Sequence, residues 1–280
     1  RAHQATPLLR LPMNFTRTLR VRPGQKVRLN RIDPGATHGF DKDLAAERSA
    51  ANTARIAELQ QRLYAEGKRA LLIILQGMDT SGKDGTVRHV LSGVNPQGCR
   101  VTSFKAPTAE ELAHDFLWRI HRAVPAKGEI GVFNRSQYEE VLIVRVHELA
   151  PADVWSTRYE QINGFEQTLT AAGVTILKFF LHISKAEQRD RLQARLEDKT
   201  KNWKFNPGDL AERKLWPDYQ HAYEDALCRC STKAAPWFII PANKKWFRNL
   251  AVSSIIRETL EEMHPRFPKP LPGLDKIKVP

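Results

Sequence analysis

A glycine-rich segment that starts at Gly77 has the residue types and the spacing of a phosphate-binding loop. Its sequence is GMDTSGK, with four residues between the two glycines and Lys83 directly after the second one. Glycines let backbone N–H groups converge on phosphate oxygens, a following helix adds its dipole, and the lysine supplies a positive charge. The alternative is a glycine-rich turn that has this spacing by coincidence. Because the segment follows an apolar run and precedes a helical pattern, as the motif requires, we favour phosphate binding.

Two carboxylates distinguish this segment from the usual loop of an ATPase. Asp84 stands where that loop has a serine or threonine that holds Mg²⁺, and Asp79 lies inside the loop. A carboxylate there would repel a bound phosphate unless a cation lay between them, so the pair suggests phosphate binding bridged by a metal ion. Asp84 has a second interpretation, as an acidic residue in the first turn of a helix, where the helix dipole stabilises it.

Five apolar segments predict the strands that must hold this loop. They cover residues 69–75, 99–104, 129–133, 175–183 and 237–241, and segments with helical periodicity lie between them. Strands that alternate with helices favour an α/β fold with a doubly wound, parallel sheet. In such sheets, ligands bind at the carboxyl ends of the strands. Lys83, Lys105 and Arg135 each follow a predicted strand, so we expect all three to face one cleft.

The charged segment from residue 184 to about residue 230 predicts a helical hairpin, with a break near residues 206–208. Arg191 and Arg195 are four residues apart and share one helix face, and Lys204 continues the basic pattern toward the tip. Such a hairpin could act as a lid that closes over the phosphate loop and excludes water, which competes as a phosphoryl acceptor. The alternative is a solvated helix, because acidic residues alternate with the basic ones.

Composition and charge restrict the class of protein. The chain has 280 residues, of which 41% are hydrophobic and 27% are charged, as in soluble globular proteins. Its 44 basic and 31 acidic residues give a net charge of +13, which attracts polyanions such as nucleic acid or a phosphate-rich substrate. No apolar run approaches the roughly 20 residues that span a bilayer, and three cysteines are too few for a disulfide framework. We therefore expect a cytoplasmic protein that has no membrane partner.

The chain divides into three predicted segments. Residues 1–40 carry eight basic residues against one acidic residue and are predicted to form a basic N-terminal arm, for which simple solvation is the alternative to binding a polyanion. Residues 41–265 are predicted to form a single domain that carries the lid at about residues 190–230. Residues 266–280 are predicted to form a proline-rich C-terminal tail.

Several separated motifs together resemble the polyphosphate kinase 2 family. They are LQGMDTSGKDGT at residues 75–86, FNRS at 133–136, WK at 203–204 and APW at 235–237, and the resemblance covers about residues 20–265. Three further motifs resemble the subgroup of this family that accepts both nucleoside monophosphates and diphosphates. These are NPQGC at residues 95–99, FLWR at 116–119 and NRSQYEE at 134–140.

This resemblance implies a transferase that moves phosphoryl groups between inorganic polyphosphate and nucleotides, from AMP to ADP and from ADP to ATP, with Mg²⁺ as cofactor. It implies a P-loop kinase-like fold with three α/β/α layers and a helical lid. It also implies a homodimer or homotetramer, and guanine nucleotides as further substrates. By the same resemblance Asp79, Lys83 and Arg135 form the phosphate and metal centre, and Arg191 and Arg195 are cations of the lid.

One position departs from the family pattern. Asn134 stands where much of the family has an aspartate that binds metal or positions the acceptor, and a neutral amide cannot replace that charge. Glu139 and Glu140 are the nearest substitutes, so the predicted metal ligands are Asp79, Glu139 and Glu140. The candidate catalytic residues are Asp79, Lys83, Asn134, Arg135, Glu139 and Glu140. The candidate phosphate-binding and polyphosphate-binding residues are Gly77, Met78, Thr80, Ser81, Gly82, Asp84, Gly85, Thr86, Lys105, Arg191, Arg195 and Lys204.

Two other functions compete with this interpretation. An ATP-dependent nucleotide kinase would share the loop and the lid, because these features alone do not identify the phosphoryl donor. Asp84 and the large positive charge count against it. A nucleic-acid-binding protein would also be basic, but the sequence has no helix-turn-helix, zinc-finger or RNA-recognition signature. We therefore expect no nucleic acid partner.

Overall fold

A parallel sheet of five strands forms the centre of the computed structural model, which describes residues 13–277 and residue 279. The strands lie in the order β2-β3-β1-β4-β5, and all four pairings between neighbours are parallel. The predicted α/β fold with a mostly parallel sheet is therefore confirmed. The strands are β1 (Ala70–Gln76), β2 (Cys99–Ser103), β3 (Ile130–Asn134), β4 (Val174–His182) and β5 (Trp237–Pro241).

Helices connect the strands and cover both faces of the sheet. Short 3₁₀ turns lie at Leu29–Arg31, Pro96–Gly98, Gln137–Val141, Asn202–Lys204 and Leu274–Lys276. In the described part of the chain the α-helices are α1 (Phe15–Leu19), α2 (Lys42–Glu66), α3 (Lys83–Val90), α4 (Ala109–Leu112), α5 (Trp118–His121), α6 (Ile143–Val146), α7 (Ala152–Trp155), α8 (Arg158–Ala171), α9 (Lys185–Glu197), α10 (Gly208–Lys214), α11 (Trp216–Arg229) and α12 (Lys245–Met263).

Two apolar cores, one on each face of the sheet, produce the three layers. Alternate residues of β1 point to opposite faces, so that Leu71 and Ile73 join one core while Leu72 and Ile74 join the other. Helices α2, α3 and α12 contribute to the first core, and α8 and α11 contribute to the second. All seven residues of β1 are buried because both faces are covered, which explains why the sequence of this strand is continuously apolar.

Part of the predicted N-terminal arm packs on the domain. Residues 1–12 of the predicted arm lie outside the described residues. From Phe15 onward the chain is not a solvated arm, because Phe15, Val21 and Leu29 are buried in the two cores. The backbone N–H of Val21 donates to the carbonyl oxygen of Trp237 in β5 at 2.8 Å. Apolar residues among the basic ones therefore attach this segment to the sheet.

The predicted hairpin contains both projecting and buried parts. Residues 193–218, which include α10 and the end of α9, contain no buried residue. Helix α11 returns to the core, where Tyr219, Ala222 and Tyr223 are buried. Within the predicted lid range of 190–230, residues 193–218 therefore lie outside the core, whereas part of α11 lies in it.

The proline-rich tail is exposed over residues 266–274. Lys278 and Pro280, which belong to the same predicted tail, lie outside the described residues. Among the helices of the described residues, none combines the length and the apolar character that crossing a bilayer would need.

Candidate active site

The glycine-rich loop lies at the carboxyl end of β1, in the middle of the sheet. Strand β1 pairs with β3 on one side and β4 on the other, and α3 begins at Lys83. Gly77 has φ +150°, and a Cβ atom there would lie 2.8 Å from the carbonyl oxygen of Leu181. Gly82 has φ +101°, and a Cβ atom there would lie 1.9 Å from Nη1 of Arg248. Both glycines are therefore required by backbone conformation and by close contacts.

Lys83 lies over the loop that it follows. Its Nζ donates to the carbonyl oxygens of Gly77 at 2.7 Å and of Met78 at 3.4 Å. Burial, followed by the positive charge of Arg135, lowers the pKa of Lys83 to about 8. The side-chain hydroxyls of Thr80 and Ser81 are buried and have no hydrogen-bond partner among the described residues. Such unsatisfied donors at the loop are suited to a ligand that supplies acceptor oxygens.

Arg135 approaches the loop from the end of β3, with its backbone at φ +64°. Its Nη2 donates to Oδ1 of Asp79 at 2.9 Å, and its Nη1 lies 3.5 Å from Oε2 of Glu139. Burial acts to lower the pKa of Arg135, but the charges of Glu139 and Asp79 outweigh it and raise this pKa. Arg135 therefore stays positively charged opposite the loop.

A buried ion pair holds the turn that follows Arg135. Nζ of Lys178 donates to Oε2 of Glu166 at 2.5 Å, to Oη of Tyr138 at 2.8 Å and to the carbonyl oxygen of Cys230 at 2.6 Å. Tyr138 lies in the 3₁₀ turn Gln137–Val141, directly after β3. This network joins β4, α8 and the turn, so it fixes the position from which Arg135 and Glu139 reach the loop.

Asn134 contacts the carboxylate of Asp84, which lies in the first turn of α3. Its Nδ2 donates to Oδ1 of Asp84 at 2.6 Å. An aspartate at this position would face the charge of Asp84, whereas the amide can donate to it. The asparagine at position 134, which departs from the family pattern, therefore forms a hydrogen bond with Asp84 where an aspartate would be repelled.

The loop forms the floor of a cleft of about 1480 Å³. Ten lining residues are lysine or arginine, and five are aspartate or glutamate, so the cleft attracts anions. Of the predicted site residues, the cleft is lined by Asp79, Thr80, Gly82, Lys83, Asp84, Gly85, Lys105, Asn134, Arg135, Arg191, Arg195 and Lys204. The predicted residues that do not line it are Gly77, Met78, Ser81, Thr86, Glu139 and Glu140.

Arg191 is not placed as a mobile lid cation. It is buried, and its Nη1 donates to the carbonyl oxygens of Thr80 at 2.8 Å and Ser81 at 3.1 Å. Its Nη2 donates to the carbonyl oxygens of Ala242 at 2.6 Å and Asn243 at 3.1 Å. Arg191 therefore joins the phosphate loop to the segment after β5. The sequence alone does not indicate these contacts, because the carbonyl acceptors come from distant parts of the chain.

Arg195 and Lys204 lie farther out. The side chain of Arg195 is partly exposed and lies 3.7 Å from Asp209 of α10. Lys204 is exposed in the 3₁₀ turn between α9 and α10, where its Nζ lies 5.0 Å from the ring centre of the exposed Trp203. Both cations line the cleft from the segment that contains no buried residue.

Glu140 does not reach the phosphate loop. Its Oε2 accepts from Nη1 of Arg158 at 2.5 Å, and both residues line a separate cavity of about 540 Å³. Burial raises the pKa of Glu140, while the charge of Arg158 opposes this effect. Glu140 is therefore occupied by an arginine elsewhere, which separates it from Asp79. Glu139 lies near the loop, but it contacts Arg135.

The described residues contain no group of three or more His, Cys, Asp or Glu side chains placed to hold an ion. Protein side chains alone therefore do not form a metal site among these residues. The cleft does contain the carboxylates of Asp79 and Asp84. Mg²⁺ commonly binds one or two protein carboxylates and completes its shell with phosphate and water oxygens. The donor set therefore fits a metal ion that arrives with its phosphate ligand.

The sequence analysis missed several residues that line the cleft, four of which are basic residues on two helices. Arg88 and His89 lie in the last turn of α3, and Lys245 and Arg248 lie in the first turn of α12. The spacing of Lys245 and Arg248, three residues apart after the last strand, is a signal that could have placed them at the carboxyl edge of the sheet.

Comparison with known proteins gives a consistent result. The family model described as polyphosphate kinase 2 (PPK2) matches residues 39–268. The chain is 53% identical over 262 residues to the AMP/ADP-polyphosphate phosphotransferase of Meiothermus ruber, covering 93% of this chain and 98% of that protein. It is 47% identical to the ADP-polyphosphate phosphotransferase of Rhodopseudomonas palustris, covering 93% and 95%. A crystal structure of polyphosphate kinase 2 from Arthrobacter aurescens TC1 matches with a TM-score of 0.86 and 50% identity, covering 89% of this chain and 90% of that one.

Proposed function

The chain belongs to the polyphosphate kinase 2 family, and from this premise we propose that it transfers phosphoryl groups between inorganic polyphosphate and the nucleotides AMP and ADP. The observation that carries the proposal is the cationic cleft, in which the glycine-rich loop, Lys83 and Arg135 converge at the carboxyl edge of the sheet. The comparisons do not favour an ATP-dependent nucleotide kinase, since the matched relatives are named for polyphosphate.

Phosphoryl transfer requires alignment of donor and acceptor and neutralisation of the charge on the transferring oxygens. The loop N–H groups and Lys83 bind phosphate oxygens from one side. Arg135 faces them from the neighbouring strand, and its two contacts with Asp79 and Glu139 hold it in place. Lys105 lies at the end of β2, next to the same cleft, where it can bind a phosphate of the nucleotide.

We propose that the metal ion is Mg²⁺, and that Asp79 with Asp84 would hold it, in place of the predicted set of Asp79, Glu139 and Glu140. Asp79 and Asp84 line the cleft, whereas Glu140 is paired with Arg158 at the other cavity. When bound, Mg²⁺ would neutralise negative charge on the phosphate oxygens. Nδ2 of Asn134 holds the Asp84 carboxylate in place.

The projecting segment is proposed to act as a lid. Arg195 and Lys204 lie on this segment, line the cleft and would follow a closing motion. Closure over the loop would exclude water from the reacting phosphate.

The experiment that tests this function measures product formation from AMP, and separately from ADP, with Mg²⁺ and polyphosphate but without ATP. We expect ADP and ATP as products, and loss of turnover in Lys83→Ala and Asp79→Ala variants with unchanged melting temperatures. Lys42→Ala serves as the control, because Lys42 is an exposed lysine in α2. Phosphorylation with ATP as donor but none with polyphosphate would contradict the proposal, as would near wild-type rates in the two site variants.

Two finer points belong to the same proposal. We propose that GMP and GDP are also accepted, and that the protein is a homodimer or homotetramer. The first is measured by replacing the adenine nucleotides in the same assay, and the second by size-exclusion chromatography with light scattering. A strict adenine requirement or a monomer would contradict them.

A further inference from the structure

The buried amide of Gln188 joins the phosphate loop to the projecting segment. Gln188 lies near the start of α9 and is only 1% exposed. Its Nε2 donates to the main-chain oxygen of Asp79 at 3.1 Å. Its Oε1 accepts from Nη1 of Arg213, in α10, at 3.1 Å. Since a carbonyl oxygen only accepts and a guanidinium only donates, a single orientation of this amide satisfies both neighbours.

The contact with Asp79 fixes the orientation of one peptide group of the loop. A peptide group is planar and trans, so the N–H of Thr80 points opposite to the carbonyl of Asp79 and away from Gln188. Among the described residues this N–H donates to no main-chain oxygen, and Thr80 lines the cleft. Gln188 lies outside the lining of the cleft, yet it determines which way an N–H group of the phosphate loop points.

This orientation of the peptide group is strained. Thr80 has φ +64°, in the left-handed region that a β-branched residue disfavours. Rotation of the peptide group between Asp79 and Thr80 by half a turn would return this φ to the negative range and would direct a carbonyl oxygen to where the N–H now lies. The hydrogen bond from Gln188 opposes the rotation, because Nε2 would lose its acceptor.

Arg213 forms the outer end of this connection. Its Nη1 donates to the main-chain oxygen of Lys185 at 2.5 Å as well as to Gln188. Both acceptors belong to α9, whereas Arg213 belongs to α10, within the segment of residues 193–218 that contains no buried residue. The position of α10 therefore decides whether Oε1 of Gln188 has this donor.

We propose that Gln188 is a positioning residue that couples the projecting segment to the phosphate loop. With Arg213 in place, the amide keeps Nε2 directed to Asp79, and the N–H of Thr80 stays available to a phosphate oxygen. A displacement of α10 removes the donor from Oε1, so that the amide can rotate and the strained peptide group can relax. The inference rests on the proposed function, because it assigns a means of controlling phosphate binding in that same cleft.

Two adjacent residues of α10 provide the first test. Arg213→Met removes the donor to Gln188, whereas Lys214→Met alters an exposed neighbour. Both variants remove one positive charge from the same helix, so a difference between them does not come from net charge. In calorimetric titrations of the nucleotide-free protein, we expect Arg213→Met to weaken the binding of inorganic pyrophosphate about twofold to fivefold and Lys214→Met to leave it unchanged. Equal affinities in the two variants would overturn the inference.

Gln188→Glu separates the two ends of the amide. A carboxylate still accepts from Arg213 but cannot donate to Asp79, so the contact with α10 stays and the contact with the loop is lost. The affinity for pyrophosphate should fall about tenfold to 100-fold, since two acceptor oxygens then face each other. Gln193→Glu adds the same charge at an exposed position of α9 and should bind pyrophosphate within about twofold of wild type. Wild-type affinity in Gln188→Glu would contradict the proposal.

A double-mutant cycle tests whether Arg213 acts through Gln188. Gln188→Met removes both hydrogen bonds without adding a charge, so Arg213→Met should weaken pyrophosphate binding no further in this background. Losses of affinity that simply add would overturn the coupling.

The amide resonance of Thr80 separates a positioning role from a merely structural one. In NMR spectra, pyrophosphate should shift this resonance in the wild-type protein and much less in Gln188→Met. A lower melting temperature of Gln188→Met, with an unchanged shift of the Thr80 resonance, would mean that the side chain only stabilises the fold.

These binding measurements also separate the inference from the proposed function. Weaker binding of pyrophosphate in Arg213→Met than in Lys214→Met supports the coupling even if the wild-type protein transfers no phosphoryl group, in which case only the proposed function fails. Transfer by the wild-type protein with equal binding in both variants means that the inference alone fails. If the variants of Gln188 failed to fold, Arg213 and Lys214 would still decide, because neither is buried.

Discussion

Replacement of Arg191 by methionine distinguishes a lid cation from a residue that holds the phosphate loop. The lid interpretation predicts a folded protein with a raised KM for polyphosphate. The structure predicts a loss of stability, because Arg191 donates to four carbonyl oxygens from two separate segments. In Arg191→Met these acceptors lose their partner, and the link between the loop and the segment after β5 is broken.

The size of the expected loss of stability in Arg191→Met follows from the four carbonyl groups that lose their donor. A buried acceptor left unsatisfied costs about 1–3 kcal/mol, and water entering from the cleft can satisfy some of them, so we expect a loss of about 3–5 kcal/mol in the free energy of unfolding. For a chain of this size each kcal/mol lowers the melting temperature by about 2–4 °C, which gives a decrease of about 6–20 °C. Turnover should fall at saturating substrate as well, since the loop loses its support.

Arg195→Met is the matched control on the same helix. Arg195 is partly exposed and lies 3.7 Å from Asp209, so its removal should change the free energy of unfolding by less than about 1 kcal/mol. Thermal melting of both variants and their KM values for polyphosphate are the measurements. A wild-type melting temperature for Arg191→Met, with only the KM for polyphosphate raised, would refute the reasoning and restore the lid role.

Two further predictions concern glycine and the buried ion pair. Gly82→Ala should raise the KM for polyphosphate, because the added Cβ atom displaces Arg248. Gly24→Ala is the control: Gly24 has φ +74° and open space around it, so this variant should show only a strain cost of about 1–2 kcal/mol in the free energy of unfolding. Equal kinetics for the two variants would contradict this. Lys178→Met should lower the free energy of unfolding by about 3–5 kcal/mol, because Glu166 is left buried and unpaired. In denaturant titrations, the double variant Lys178→Met/Glu166→Gln should recover part of this loss. A double variant less stable than the single one would disprove the pairing argument.

Local sequence patterns were enough to predict the sheet and the loop. The apolar run of β1 and the glycine spacing that begins at Gly77 are properties of neighbouring residues, and the structure shows the strand at Ala70–Gln76 and α3 starting at Lys83. The alternation of strands and helices then restricts the topology, which places the ends of β1, β2 and β3 at one edge. For this reason Lys83, Lys105 and Arg135 could be assigned to one cleft from the sequence.

The partners of individual side chains were decided only by the tertiary structure. Arg191 and Arg195 have the same residue type and share one helix face, yet one is buried against carbonyl groups and the other is partly exposed. Glu139 and Glu140 are neighbours in sequence, yet Glu139 contacts Arg135 beside the loop and Glu140 contacts Arg158 at a separate cavity. Helical and strand periodicities specify which way a residue faces, but hydrogen-bond acceptors and counter-charges come from segments far away in the chain. The same limit hid Arg248, whose position beside Gly82 exists only after α12 has packed against the loop.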